Sequence, residues 1–220
     1  MSQVDVIAID GPVASGKGSV SSGVAKVLGF HVLDSGALYR LTALACMNQV
    51  MDLGDAAAAE KVARLLKPLF KDGKIYLEGK DVTDAIRTEE VGLNASKIAA
   101  YPGVRKALFE LQRRSAVEPG LVADGRDMGS VVFPEARLKI FLTASAESRA
   151  KRRYNQLKEK GISSNIDDLV SDLKDRDRRD MERSVAPLKP AEGARILDSS
   201  DLTLQETIDQ VLAWYRESKA

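Results

Sequence analysis

The segment Gly11-Pro12-Val13-Ala14-Ser15-Gly16-Lys17-Gly18-Ser19 holds the residue types and spacing that most directly promise chemistry. Glycines at positions 11 and 16 let the backbone curl tightly, so that successive N–H groups can point at one anion, and the lysine that follows can reach the outer phosphates of a nucleotide. Such a loop needs a strand to deliver it and a helix starting at its end, whose N-terminus adds a partial positive charge. Both patterns are present. Val4 and Val6 to Ile9 read as a strand buried on both faces, and from Lys17 the apolar Val20, Val24, Val27 and Leu28 recur at helical spacing until Gly29, a C-terminal stop. The nine residues Gly11 to Ser19 are therefore the expected cradle for nucleotide phosphates. The usual motif has Ser or Thr directly after the lysine. Here Gly18 intervenes and Ser19 carries the hydroxyl one position later, so Ser19 is a candidate either for Mg²⁺ or for a phosphate or metal-bound water. No Asn-Lys-x-Asp sequence is present, which disfavours a GTP switch.

A loop that holds a phosphoryl donor calls for a second anion-binding set to hold an acceptor, and three segments offer one. Asp34-Ser35-Gly36-Ala37-Leu38-Tyr39-Arg40 follows an apolar run at 30–33 and opens a helix, so Ser35 and the helix amides can face a ligand while Arg40 projects one turn later. Taken alone, it reads rather as a plain cap with a solvated Arg40. Leu121-Val-Ala-Asp124-Gly125-Arg126-Asp127-Met128-Gly129 ends a strand at Asp124, a candidate organiser of a Mg²⁺ shell, and places Arg126 where it could grip a phosphate. In the run Lys174 to Arg183, opposite charges at three- and four-residue spacing ordinarily mark a solvated face, yet Arg176, Asp180 and Arg183 share one helical face. Arg149, Arg152 and Arg153 on the preceding helix are expected to add a further cationic face. Arginine suits this work because its fixed fork binds phosphate oxygens bidentately and keeps its proton.

The rest of the chain must position these groups. Apolar runs at 30–33, 121–123, 138–142 and 194–197 alternate with helical stretches, which argues for an α/β fold with a parallel sheet flanked by helices. Ser145 precedes a helix at 146–160, Asn165 precedes one beginning at Ile166, and Thr203 with Glu206 makes a capping box before 204–217. Around Gly79, the segments Lys74 to Glu78 and Lys80 to Thr83 read as short antiparallel strands, and Ala56 to Ala59 as helix. Residues from about 55 to 100 are thus expected to be an insertion in a core formed by 1–54 and 101–220. Residues 153–165, with Gly161 and two serines between helices, read as a lid.

Composition bounds the function. At 220 residues the chain suits one domain with a small insertion, given about 150 residues per domain. With 44% hydrophobic and 30% charged residues it can bury a core, and 33 Lys+Arg against 32 Asp+Glu leaves a net charge of +1. No global field recommends nucleic acid or an anionic membrane as partner. The single Cys46 lies in an apolar run and reads as a buried structural thiol in a reduced, cytoplasmic compartment, and one His with one Cys excludes a structural zinc site. The N-terminus does not read as a signal peptide, and no stretch approaches the roughly 20 apolar residues of a membrane span.

Together the loop, Leu33-Asp-Ser-Gly-Ala-Leu-Tyr-Arg40, Ala123-Asp-Gly-Arg-Asp-Met-Gly129 with Val131-Val-Phe-Pro134, and Arg176 through Val185-Ala-Pro-Leu188 resemble the bacterial cytidylate kinases, nucleoside monophosphate kinases of the phosphate-loop class. The match runs in order along nearly the whole chain. The resemblance implies a P-loop kinase fold with an inserted acceptor-binding domain and a lid, and transfer of the ATP γ-phosphate to CMP or dCMP with Mg²⁺. The protein is expected to be a cytoplasmic monomer of pyrimidine nucleotide metabolism whose partners are small molecules. By the same resemblance, Arg40, Arg126 and Arg183 hold the acceptor phosphate with Ser35 nearby. Ser96, Arg105 and Asp127 read the cytosine, Arg176 and Asp180 contact the ribose, and Lys17 and Arg152 serve ATP. Lys17, Arg126, Arg152 and Arg183 are then the electrostatic catalysts.

The chemistry agrees with this. Cytosine offers an amine where uracil offers a carbonyl, so a carboxylate such as Asp127 would accept from the first and repel the second, while Arg105 can donate to ring N3 or O2. Other small P-loop kinases, acting on UMP, AMP, shikimate or dephospho-coenzyme A, are the alternatives within enzymes. A nucleotide-dependent RNA-binding module is the alternative outside them, and an aromatic content of 5% argues against base stacking as its main work.

Overall fold

The computed structural model describes residues 4–71, 73–159 and 161–219. Their chain forms two compact units, one from 4–33 with 115–219 and the other from 34–114.

The first unit is built on a five-stranded parallel sheet. Its strands are β1 (Val6–Asp10), β2 (His31–Asp34), β6 (Leu121–Gly125), β7 (Leu138–Thr143) and β8 (Arg195–Asp198), in the order β2-β6-β1-β7-β8. Every residue of β1 is buried, as expected for the central strand of a sheet covered on both faces. Helix α1 (Lys17–Leu28) turns its buried Val20, Val24 and Ala25 to the sheet, and α8 (Leu204–Glu217) adds Ile208, Val211, Leu212 and Tyr215 to the same core. The Thr203–Glu206 capping box that starts α8 is formed in both directions, and Gly29 ends α1 in the left-handed region. Helices α6 (Ala146–Glu159) and α7 (Ile166–Glu182) pack on each other, and Asn165 caps α7 by accepting from the Asp167 N–H at 2.8 Å. Lys160, the expected last residue of α6, lies outside the described residues.

The second unit holds α2 (Ser35–Asn48), α3 (Ala56–Leu65), α4 (Glu89–Ile98) and α5 (Pro102–Arg113), with the antiparallel strands β3 (Pro68–Lys71), β4 (Lys74–Leu77) and β5 (Lys80–Asp81). α2 packs on α3 and α4, and α3 on α5, around Leu38, Leu41, Ile98 and Leu108. Asp55 caps the alanine-rich α3 by accepting from the Ala57 and Ala58 amides, both at 3.0 Å. Cys46 is buried in α2, and burial pushes its thiol pKa up. No helix among the described residues is long and apolar enough to cross a membrane.

Gly23 on α1 is a packing position. A Cβ there would lie 2.3 Å from the Cδ1 of Ile208 on α8. Gly23→Ala is expected to lower stability by about 1–2 kcal/mol, because overpacking outweighs the helix-propensity gain of about 1 kcal/mol. Ile208→Val, which deletes that Cδ1, should recover part of the loss in the same background. Urea unfolding checks this, and a Gly23→Ala protein as stable as wild type would contradict it.

Candidate active site

The strands of a parallel sheet deliver their carboxyl ends to one edge, which is where α/β proteins bind ligands. In the first unit, Asp10 at the end of β1 pairs with Gly125 at the end of β6, and Asp124 lies beside Ile9. Gly11 leaves β1 with φ +152°, and a Cβ on it would stand 2.0 Å from the Leu142 carbonyl oxygen of β7, so only glycine fits. Positive φ recurs at Ala14 and at Gly16, the residue before α1. Alternation of this kind curls the main chain into a nest of N–H groups. Gly16 offers no side-chain cap to α1, so the first amides of the helix remain for a ligand to satisfy.

Lys17 is buried, and its ammonium donates to the Pro12 carbonyl at 2.7 Å and the Ser15 hydroxyl at 3.3 Å. Burial pushes its pKa down to about 7 and the nearby Arg126 guanidinium adds to the fall, while Asp124, Asp10 and Asp180 oppose it. These five charges form one electrostatic cluster. Burial also drives Asp10 up to about 6, against the main-chain N–H bonds of Gly129 and Met128 that stabilise its charge.

Arg126 donates through Nε to Asp180 at 3.1 Å and through Nη1 to the Gly125 carbonyl, so the phosphate-gripping candidate and the ribose candidate are an ion pair. Arg152 lies against the glycine loop, donating to the Ser15 carbonyl at 3.0 Å and to the hydroxyl and carbonyl of Ser199. Arg183 stands just beyond the last turn of α7, where its Nε donates to the Ala186 carbonyl, so the helical run ends one residue earlier than the shared face of Arg176, Asp180 and Arg183 required.

Arg149 corrects the expectation of a cationic face with Arg152 and Arg153. Its side chain is 5% exposed and bonded through every nitrogen: Nε donates to the Ala144 carbonyl, Nη1 to the Val13 carbonyl, and both Nη atoms to the Asp177 carboxylate, at 3.1 and 2.5 Å. Arg149 thus ties α6 to α7 and to the glycine loop.

Ser19 is exposed at the start of α1, and the Asp124 carboxylate lies 3.5 Å from where a Cβ on Gly18 would be. A hydroxyl and one carboxylate beside a phosphate loop are hard oxygen donors of the kind Mg²⁺ uses. Among the described residues no group of three or more His, Cys, Asp or Glu side chains could hold a metal by itself. A Mg²⁺ ion at this place would therefore draw most of its ligands from phosphates and water.

In the second unit, Ser35 opens α2 behind its cap Asp34 and accepts a hydrogen bond from the buried Gln112 amide at 2.9 Å. Arg40 donates to the carbonyls of Ile86 and Thr88 at 2.7 and 3.3 Å, and a Cβ on Gly92 would come within 2.9 Å of its Nη2. It therefore ties α2 to the entry of α4. Arg105 on α5 donates to the Ala99 carbonyl and stacks over the Tyr39 ring at 5.9 Å, and Ser96 is half-buried on α4. The sequence does not single out Asp10 or Gln112, and it places Arg149 on a cationic face where the structure shows a buried tie. Only Asp10 carried a signal, an acid at the end of a fully apolar strand.

A parallel sheet with a glycine loop and a buried lysine at its carboxyl edge defines a P-loop kinase fold. The cytidylate kinase family profile matches residues 7–217. The cytidylate kinase of Bordetella bronchiseptica is 58% identical over 211 residues, covering 96% of this chain and 95% of the relative. That of Cupriavidus necator is 56% identical over 215 residues, covering 98% and 97%. The chain belongs to the cytidylate kinase family. A solved structure, an uncharacterized protein from Eubacterium ventriosum, shares the fold at 14% identity, with a TM-score of 0.53 and coverage of 98% and 99%.

Because Arg149 is a structural tie, its removal should be read in stability first. Arg149→Ala leaves the Asp177 carboxylate buried without its partner, which is expected to cost about 3–5 kcal/mol. Arg149→Lys should recover little of this, since one ammonium cannot span Ala144, Val13 and both Asp177 oxygens. Urea unfolding of the two variants measures it, and losses below about 1 kcal/mol would contradict the assignment.

Proposed function

We propose that this protein transfers the γ-phosphoryl group of ATP to CMP, giving CDP and ADP, and that it accepts dCMP in the same way. The observation that carries the reading is the family match along nearly the whole chain. The glycine loop ending at the buried Lys17 gives that match its chemistry. Phosphoryl transfer passes through a loose transition state with charge spread over the equatorial oxygens, so the protein has mainly to align two substrates and stabilise charge.

Gly11, Pro12, Val13, Ala14, Ser15, Gly16, Gly18 and Ser19 supply the main chain and hydroxyls that cradle the ATP phosphates, and Lys17 swings from the Pro12 carbonyl to the γ-phosphate. Arg152, already against the loop, follows the same phosphates. Arg126 and Arg183 neutralise the transferring group, and with Arg40 and Ser35 hold the phosphate of CMP. Asp127, Ser96 and Arg105 recognise cytosine, and Arg176 and Asp180 the ribose. Asp124 and Ser19 are the residues that would orient the shell of a Mg²⁺ ion brought with ATP, which would supply neutralisation of phosphate charge. Residues 153–165 act as a lid that excludes water during transfer, and 55–100 as the inserted acceptor domain. The protein works as a cytoplasmic monomer on small molecules.

The test is ADP formation with ATP and Mg²⁺ when CMP, dCMP, UMP, AMP, shikimate or no acceptor is supplied. CMP and dCMP should each drive turnover well above the others, and preference for a different acceptor would overturn the reading. Lys17→Ala should lower kcat by about 10²–10³-fold with the CMP KM changed only a few-fold, the signature of a group that acts in the transition state.

A further inference from the structure

Asp127 is the residue before a π-helical turn, Met128–Val132, and it makes no side-chain capping bond to that turn. The first amides of the turn are satisfied from elsewhere in the unit. The Oδ1 of Asp10 accepts from the Met128 N–H and its Oδ2 from the Gly129 N–H, each at 2.8 Å. Both oxygens of one carboxylate, 3% exposed at the end of the central strand, thus serve the backbone directly after Arg126 and Asp127. Such bonds to a charged acceptor are short and strong, and losing one leaves a buried N–H unpaired.

The turn is tightly held on its other sides. Met128 is fully buried and packs where a Cβ on Gly125 would be, 2.7 Å from its Cγ, and a Cβ on Gly129 would press on Lys139 and Ala191 at 3.2 and 3.3 Å. The Asp127 carbonyl accepts from Val131 and Val132 inside the turn. A shift at Met128 or Gly129 therefore passes straight into Asp127.

We propose that Asp10 is a positioning residue for acceptor selection: its carboxylate, by clamping the Met128 and Gly129 amides, fixes the direction in which Arg126 and Asp127 are presented. This rests on the proposed reading of cytosine by Asp127. Burial and the neighbouring Asp127 make the ionised Asp10 costly, and the two N–H bonds and Lys17 offset part of that cost.

Asp10→Asn tests this, because the amide keeps one acceptor and turns a donor toward the second N–H. The ratio of kcat/KM for CMP to that for UMP should fall at least tenfold, with the CMP KM raised and the ATP KM changed less than threefold. In an Asp127→Ala background the same substitution should move the ratio less than twofold, since the two residues act in series. If Asp127→Ala loses selectivity and Asp10→Asn keeps it, the inference fails while the base reading stands. If Asp127→Ala itself keeps wild-type selectivity, both fail. Hydrogen exchange in the wild-type protein gives a readout that does not depend on the variant folding: the Met128 and Gly129 amides should be strongly protected without nucleotide, and exchange near unprotected rates would overturn the proposal.

Discussion

A parallel sheet that buries its central strand on both faces leaves the charges at the carboxyl ends of β1 and β6 partly cut off from water, and the active-site region is organised around that cost. Lys17, Asp10, Asp124, Arg126 and Asp180 lie within electrostatic range of one another, and Lys17, Asp10 and Asp180 are buried. None of them is tolerable alone at such depth. Lys17 is held by a loop carbonyl and a hydroxyl, Arg126 is paired with Asp180, and each Asp10 oxygen accepts from one amide. The carboxylates oppose the loss of the Lys17 charge, and the cations keep the loop ready for a polyanion. Binding phosphates completes the cluster.

This arrangement explains why so much of the polar structure is made by main chain. The loop amides are unoccupied by side-chain caps at Gly16, while loop carbonyls at Pro12, Val13 and Ser15 are each taken by Lys17, Arg149 or Arg152. Acceptors of the loop are thus satisfied by cations and its donors are reserved for an anion. That polarity suits transfer chemistry, where preorganised donors stabilise developing charge without reorganising at the moment of reaction. Arg149 extends the same logic to stability, since its bond to Val13 makes the loop depend on the α6–α7 pair.

The elements that carry the phosphate loop were legible in the sequence because each was specified locally. Val6 to Ile9 is too apolar for anything but a buried strand, Gly16 and Gly29 bracket α1, and Thr203 with Glu206 announces α8. The strands around Gly79 were readable from their turn, whereas β3 was missed: it begins at a proline and exposes Leu69 and Phe70, so it shows neither alternation nor a buried run. The glycine loop itself was identifiable from spacing. The roles of Arg149, Asp10 and Gln112 were not, because their partners lie 28, 118 and 77 residues away in the chain. Charge spacing made Arg149 look like one of three equivalent arginines, and only tertiary packing separates the buried tie from its neighbours. The base-reading set Ser96, Arg105 and Asp127 came from family resemblance alone, since no periodicity distinguishes a ligand-facing polar residue on a helix from a solvated one.

The most direct test of this electrostatic account is the pKa of Lys17, followed by NMR of ¹³C-labelled lysine with Lys17→Met for assignment, with and without ATP. Burial and Arg126 should hold the ammonium near pH 7 in the ligand-free protein, and phosphates should raise it by well over one pKa unit, with proton uptake on binding. A value near the ordinary 10.5 in the ligand-free protein, unchanged by ATP, would contradict the account.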